Sequence, residues 1–276
     1  MPVIGLIRSL AVYLDAHCHL DLPPFDADRA AVIAQGRTLG IGGYLLGGVD
    51  PAGWARQRAL ARVYPEVHWT AGLHPVSVAQ LTPEEREDAM GQLIGCFDGE
   101  GAAIGVGETG LDRRFASPET LPAQTESFRD HLALARELER PVVLHVVGAH
   151  GHTLDVLRRD GLPAAGGLMH SYSGSAELVA TYVGLGLAIS FSANVLRPGA
   201  KKLRRAVAAV PRGSLLVETD APDQAPEGRG VRNTPATLLA VADCLAAVRN
   251  EPAEDILKRS RQNLERIFGS CWPEGG

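Results

Sequence analysis

His17 and His19 stand two residues apart in the short apolar run Leu14-Asp15-Ala16-His17-Cys18-His19-Leu20. In a strand, side chains alternate between faces, so both imidazoles point the same way. Two neutral imidazoles with a carboxylate just ahead of them make half a site for a divalent transition metal. Other ligand-type residues close later apolar runs: His74, Glu108, His145, His170 and Asp220. Gly105-Val106-Gly107-Glu108 brings its carboxylate up through small residues that leave room beside it. Pro141-Val142-Val143-Leu144-His145 and Gly167-Leu168-Met169-His170 end in imidazole. Leu215-Leu216-Val217-Glu218-Thr219-Asp220 ends in two carboxylates on one face, of which Asp220 is nearer the end and Glu218 suits a supporting role or an ion pair.

Such residues form a centre only if the fold gathers these segments at one place. Strand patterns are expected at 43–48, 67–73, 102–108, 141–147, 167–170, 188–191 and 214–219, following the one that carries the His pair. Helix patterns are expected at 26–39, 51–64, 82–97, 122–139, 152–159, 176–185, 201–210 and 235–248, with 253–268 left over at the end. Thr82-Pro83-Glu84-Glu85 is a clear start signal, with Thr82 as cap and Glu85 placed for a capping box. Eight successive strand–helix units predict a single-domain (β/α)8 TIM barrel, with an extra C-terminal helix, in preference to a doubly wound sheet. The barrel is expected over 14–270, after a loosely ordered leader at 1–13 and before a short tail at 271–276. Chemistry in this fold sits at the carboxyl ends of the strands, where the ligand-type residues fall.

The chain has 276 residues, 45% of them apolar, enough for a large core, and no apolar run long enough to span a membrane. Arg8 interrupts the apolar opening and no small-residue cleavage site follows, so a cytoplasmic protein is expected. Cys18, Cys96, Cys244 and Cys271 are scattered, which argues against a disulfide framework and a structural zinc site. A formal charge of -5 excludes a strongly basic field over the whole protein, so any attraction for phosphate must be local. Arg113, Arg114, Arg197, Arg229 and Arg232 are the cations expected near the barrel mouth. Lys201, Lys202, Arg204 and Arg205 spread around a helical turn as a solvated face. Phe115, Tyr172 and Phe191 are the aromatics available there to stack on bases.

In order along the chain, Asp15-x-His17-x-His19, Gly72-Leu73-His74-Pro75, Gly107-Glu108-Thr109-Gly110-Leu111-Asp112, Pro141-x-x-x-His145, His170-Ser171-Tyr172-Ser173-Gly174 and Glu218-Thr219-Asp220-Ala221-Pro222 resemble the motifs of the TatD-like metal-dependent hydrolases. Asn233-x-Pro235 and Asn263-Leu264-x-x-Ile267-Phe268 match as well, so the resemblance runs from Leu14 to Phe268. It implies a binuclear centre: His17, His19 and Asp220 on one divalent metal, His145 and His170 on the other, and Glu108 bridging them. The metals could be Zn, Mn or Mg, with histidine ligands favouring the first two. The activity implied is cleavage of phosphodiester bonds in DNA, on single-stranded ends, with Asp220 taking the proton of the attacking water alongside Glu108. His74, Arg113, Tyr172 and Arg229 are then expected to bind substrate.

Three departures from the family pattern alter the walls of the site. After His145 the family commonly continues Ser-Arg-Asp where this chain has Val146-Val147-Gly148, with His150 and His152 as substitutes to consider. Ser171-Tyr172 replaces the usual Cys-Phe, and Asp223-Gln224 replaces an apolar pair. The missing arginine keeps open a second reading, an ester or amide hydrolase such as a deacylase or lactonase using the same centre. The expected partner is DNA or another phosphodiester bound at the mouth, with no membrane and a monomeric state.

Overall fold

A computed structural model describes residues 12–226 and 231–273. Eight strands follow one another in chain order in a single sheet, every adjacent pair parallel. They are β1 (Tyr13–Cys18), β2 (Ile41–Leu46), β3 (Val67–Ala71), β4 (Gly105–Asp112), β5 (Val142–Val147), β6 (Gly167–Met169), β7 (Leu187–Phe191) and β8 (Leu215–Val217). The helices are α1 (Arg29–Thr38), α2 (Pro51–Val63), α3 (Pro75–Gln80), α4 (Pro83–Ile94), α5 (Thr120–Glu137), α6 (His150–Asp160), α7 (Ala176–Gly184), α8 (Lys201–Ala209), α9 (Thr237–Arg249) and α10 (Ala253–Phe268). Just beyond the last ladder, β8 meets β1 as the Asp220 amide donates to the His17 carbonyl at 3.0 Å and the His19 amide to the Ala221 carbonyl at 2.7 Å. That seam joins the two ends of the sheet and makes the TIM barrel expected from the alternation.

Local chemistry explains where the elements depart from the expected pattern. Asp28 stands at the start of α1, but its carboxylate is forked to Arg232 at 2.7 Å and makes no cap, so the helix opens later than position 26. β3 ends at Ala71 because His74-Pro75 starts a short helix, α3, with Pro75 at its first position and the His74 ring accepting from the Val76 amide. Thr82 and Glu85 form the expected capping box on α4. The largest difference is β4, which continues four residues past Glu108. Its register shifts between Val106 and Thr109, and Gly107 there adopts φ +138°, where a Cβ would lie 2.4 Å from the Val143 carbonyl oxygen. Glu108 is therefore an internal strand residue at a bulge, with a second carboxylate, Asp112, at the strand's end.

The amino end of the barrel is closed by α10. Leu264, Ile267 and Phe268 pack with the inward side chains Leu14, Leu45, Val143, Leu168, Ala188 and Leu216. Trp272, in the segment expected as a tail, is 4% exposed and belongs to the same cluster. Leu264→Ala is expected to cost about 2–5 kcal/mol in chemical denaturation, since a fully buried leucine is removed from a plug that rigid strands cannot follow inward.

Candidate metal centre

At the opposite, carboxyl end of the strands lies a cavity of about 570 Å³, lined in part by His19, His74, Glu108, His145, His170 and Asp220. His17 stands behind its floor, fully buried, at the end of β1. Gly47, just past β2, makes room for it: a Cβ there would fall 2.4 Å from the His17 ring and 2.6 Å from Glu108 Oε2. All six residues proposed as ligands are no more than 7% exposed.

Glu108 sits between two pairs of imidazoles. Its Oε2 lies 3.2 Å from His17 Nε2 and 3.3 Å from His19 Nε2. Its Oε1 lies 2.9 Å from His170 Nε2 and 3.4 Å from His145 Nδ1. Asp220 Oδ1 closes the first side, 3.5 Å from His19 Nε2 and 3.8 Å from His17 Nε2. Burial by itself would push Glu108 up, but His170 and His17 hold it well below the ordinary carboxylate range.

The ring orientations are set from behind. His145 places Nε2 at 2.9 Å from Asp112 Oδ2, so that nitrogen carries the proton and the Nδ1 lone pair faces the cavity. Asp112 is itself gripped by Arg114, whose Nε lies 3.0 Å from each carboxylate oxygen. His170 turns Nδ1 towards Glu218 Oε1 at 3.6 Å, while that same oxygen accepts the Ser171 amide at 2.6 Å. Asp15 accepts from the Thr219 amide and hydroxyl at 2.9 and 2.6 Å, stitching β1 to the end of β8 beside the histidines.

The ring nitrogens therefore crowd together around the Glu108 carboxylate. His145 Nδ1 and His170 Nε2 are 2.8 Å apart, and His17 Nε2 and His19 Nε2 are 3.3 Å apart. The triplets His17–His19–Glu108 and His17–His170–Asp220 each bring three donor atoms within 4.8 Å of one another. Buried imidazole and carboxylate donors so arranged fit one or more divalent cations. His74 differs from the other histidines. Its Nδ1 accepts the Val76 amide at 3.0 Å, so Nε2 carries the N–H and donates it to His145 Nδ1 at 3.2 Å, and burial followed by the neighbouring His145 pushes its pKa down to about 3.

The walls correct several expectations. Arg113 is exposed and lies against Gly148 outside the cavity, whereas Arg114, Arg197 and Phe115 line it. Tyr172 is 2% exposed and donates to the Ser175 carbonyl at 2.7 Å, so it packs under the wall with Phe191 instead of facing substrate. Arg232 is committed to Asp28, and Arg229 lies outside the described residues. His150 turns to Tyr182 at 2.9 Å and His152 to Thr125 at 3.3 Å, so neither stands in for the missing arginine. Asp112 and Gln224 contribute to the site beyond the residues expected as ligands or substrate contacts. The Gly-Leu-Asp end of the β4 motif was a signal for the first, and the polar replacement at 223–224 for the second. Asp112→Asn, which removes the fixed acceptor behind His145, is expected to weaken metal affinity about 10- to 100-fold in a chelator competition.

The model of the family described as TatD related DNase matches residues 14–269. The metal-dependent hydrolase YjjV of Escherichia coli is 32% identical over 93% of this chain and 97% of its own. Its crystal structure superposes with a TM-score of 0.84 at 31% identity, covering 93% of this chain and 97% of that one. A Pectobacterium atrosepticum protein named 3'-5' ssDNA/RNA exonuclease TatD is 31% identical over 92% of this chain and 98% of its own. With a match that takes in the whole barrel, the chain belongs to the TatD-related DNase family of metal-dependent hydrolases.

Proposed function

We propose that this hydrolase cleaves phosphodiester bonds of DNA from single-stranded ends, using two divalent ions. His17, His19 and Asp220 would hold one, His145 and His170 the other, and Glu108 would bridge them. The observation that carries this reading is the Glu108 carboxylate, each oxygen of which faces a different pair of imidazoles. Bound there, the ions supply Lewis acidity that activates a water and neutralises charge on the phosphoryl oxygens.

The chain's own residues do the rest. Asp220 takes the proton of the attacking water. With the His145 Nδ1 lone pair engaged as a ligand, His74 would offer its Nε2–H to a phosphate oxygen, in a site where the ring is held neutral. Arg114, its guanidinium oriented by Asp112, leaves Nη1 for a second phosphate oxygen, and the partly exposed Phe115 offers a face to a base. The buried floor requires the scissile bond to be brought down into the cavity. A flexible strand end does this readily, and the interior of a duplex does not.

One observation favours the ester or amide reading: among the described arginines, only Arg114 and Arg197 line the cavity, and Arg114 is already engaged with Asp112. The deciding experiment supplies metal-stripped protein with Mg, Mn or Zn and an end-labelled single-stranded oligonucleotide. Cleavage that depends on added metal is expected, with a ladder that reports polarity. Arg114→Ala should slow it about 10- to 100-fold, the worth of a charged hydrogen bond. Folded, metal-loaded protein that leaves DNA intact and hydrolyses carboxylic esters would replace this reading with the second.

A further inference from the structure

Gln224 stands where the chain departs from the apolar residues of the family pattern, and it lines the cavity. Asp220 and Gln224 both adopt left-handed backbone conformations, each with φ 58°, and the chain between them doubles back. This return brings the Gln224 amide onto the Asp220 carboxylate, where Nε2 donates to Oδ2. The two Asp220 oxygens are thereby divided: Oδ1 faces His17 and His19, while Oδ2 is occupied by the amide.

The rest of the amide is anchored as well. Gln224 Nε2 also donates to Ser171 Oγ at 2.8 Å, Ser171 Oγ lies 3.1 Å from Oε1, Ser192 Oγ donates to Oε1, and the two hydroxyls are 3.1 Å apart. Only one orientation of the amide suits these partners, because the carboxylate needs the NH2 group. Ser171 directly follows His170, Ser192 follows β7, and Asp220 follows β8. One half-buried side chain thus joins three loops, two of which carry residues of the metal centre.

We propose that Gln224 is a positioning residue for the metal centre. It holds Asp220 to a single-oxygen approach on the His17–His19 side and fixes the loop carrying His170 relative to it. A carboxylate freed from the amide could rotate, present both oxygens, or turn to solvent, and each alternative costs the site its preorganised geometry. The inference rests on the centre proposed above, with Asp220 as one of its ligands.

The test measures the affinity of metal-free protein for Mn(II) and Zn(II) by chelator competition, together with melting temperature without metal. Gln224→Met keeps length and loses the amide, and its affinity is expected to fall about 10- to 100-fold. Ser192→Ala leaves Gln224 in place with one anchor fewer, so it should move affinity the same way by less, and it serves if Gln224→Met fails to fold. Turnover by Gln224→Met at saturating metal should show a lower kcat with KM little changed, because Gln224 is proposed to act through Asp220. Unchanged affinity in both variants, with only the metal-free melting temperature lowered, would reduce Gln224 to a packing role and overturn the inference while leaving the centre intact. Wild-type protein that takes up neither ion would overturn the centre and the inference together.

Discussion

Glu108→Gln is expected to lower turnover of a chromogenic phosphodiester about 10³-fold and to reduce bound metal from the proposed two ions per chain towards one. The glutamine is isosteric, so the barrel should keep its fold. What changes is that the two oxygens of Glu108 face different histidine pairs, and an amide offers only one oxygen. Whichever pair meets the NH2 group loses its anionic partner and meets a donor where a ligand belongs. Losing Lewis-acid stabilisation worth several kcal/mol corresponds to about three orders of magnitude in rate. Elemental analysis of the purified variant alongside its kinetics checks both halves. Two tightly held ions and turnover within tenfold of wild type would remove Glu108 from its proposed bridging position.

Asp220→Asn should be nearly as damaging, slowing turnover about 10³-fold even at saturating metal, within the range for loss of a positioned general base. Here the environment makes the substitution less neutral than its shape suggests. Gln224 donates to Oδ2 of Asp220, so the asparagine oxygen is drawn to that side. The new NH2 group is then turned towards His17 and His19, where it can neither take a proton nor coordinate an ion. Single-turnover assays at several metal concentrations separate the two losses: added metal rescues a defect in affinity, and a missing base stays missing. Full rescue by metal would assign Asp220 a ligand role alone.

The residues proposed as ligands were legible in the sequence because each stands at the end of an apolar run, and the run itself signals a strand. His17-x-His19 shows it most plainly, since strand alternation settles the shared face before any tertiary contact is known. The eight-fold alternation then determined which ends meet, for a parallel barrel puts every strand's carboxyl end on one face. The cap signals of α4 were equally local, and the capping box stands where Thr82 and Glu85 placed it.

The walls were not legible, because they depend on which partner captures each polar group. Arg113 and Arg114 are adjacent and chemically alike. Only the bulged course of β4 and the presence of Asp112 send Arg114 into the cavity and leave Arg113 outside it. Tyr172 follows the residue after His170 and yet faces the core, since its hydroxyl finds the Ser175 carbonyl. Arg232 is claimed by an aspartate more than two hundred residues earlier in the chain. The sequence by itself determined the barrel and the residues at its mouth, because strand periodicity and chain order are properties of neighbours. Only the tertiary structure decided ring orientation, the division of the Asp220 oxygens, and which cations reach a substrate, because each is a competition for hydrogen bonds between groups distant in sequence.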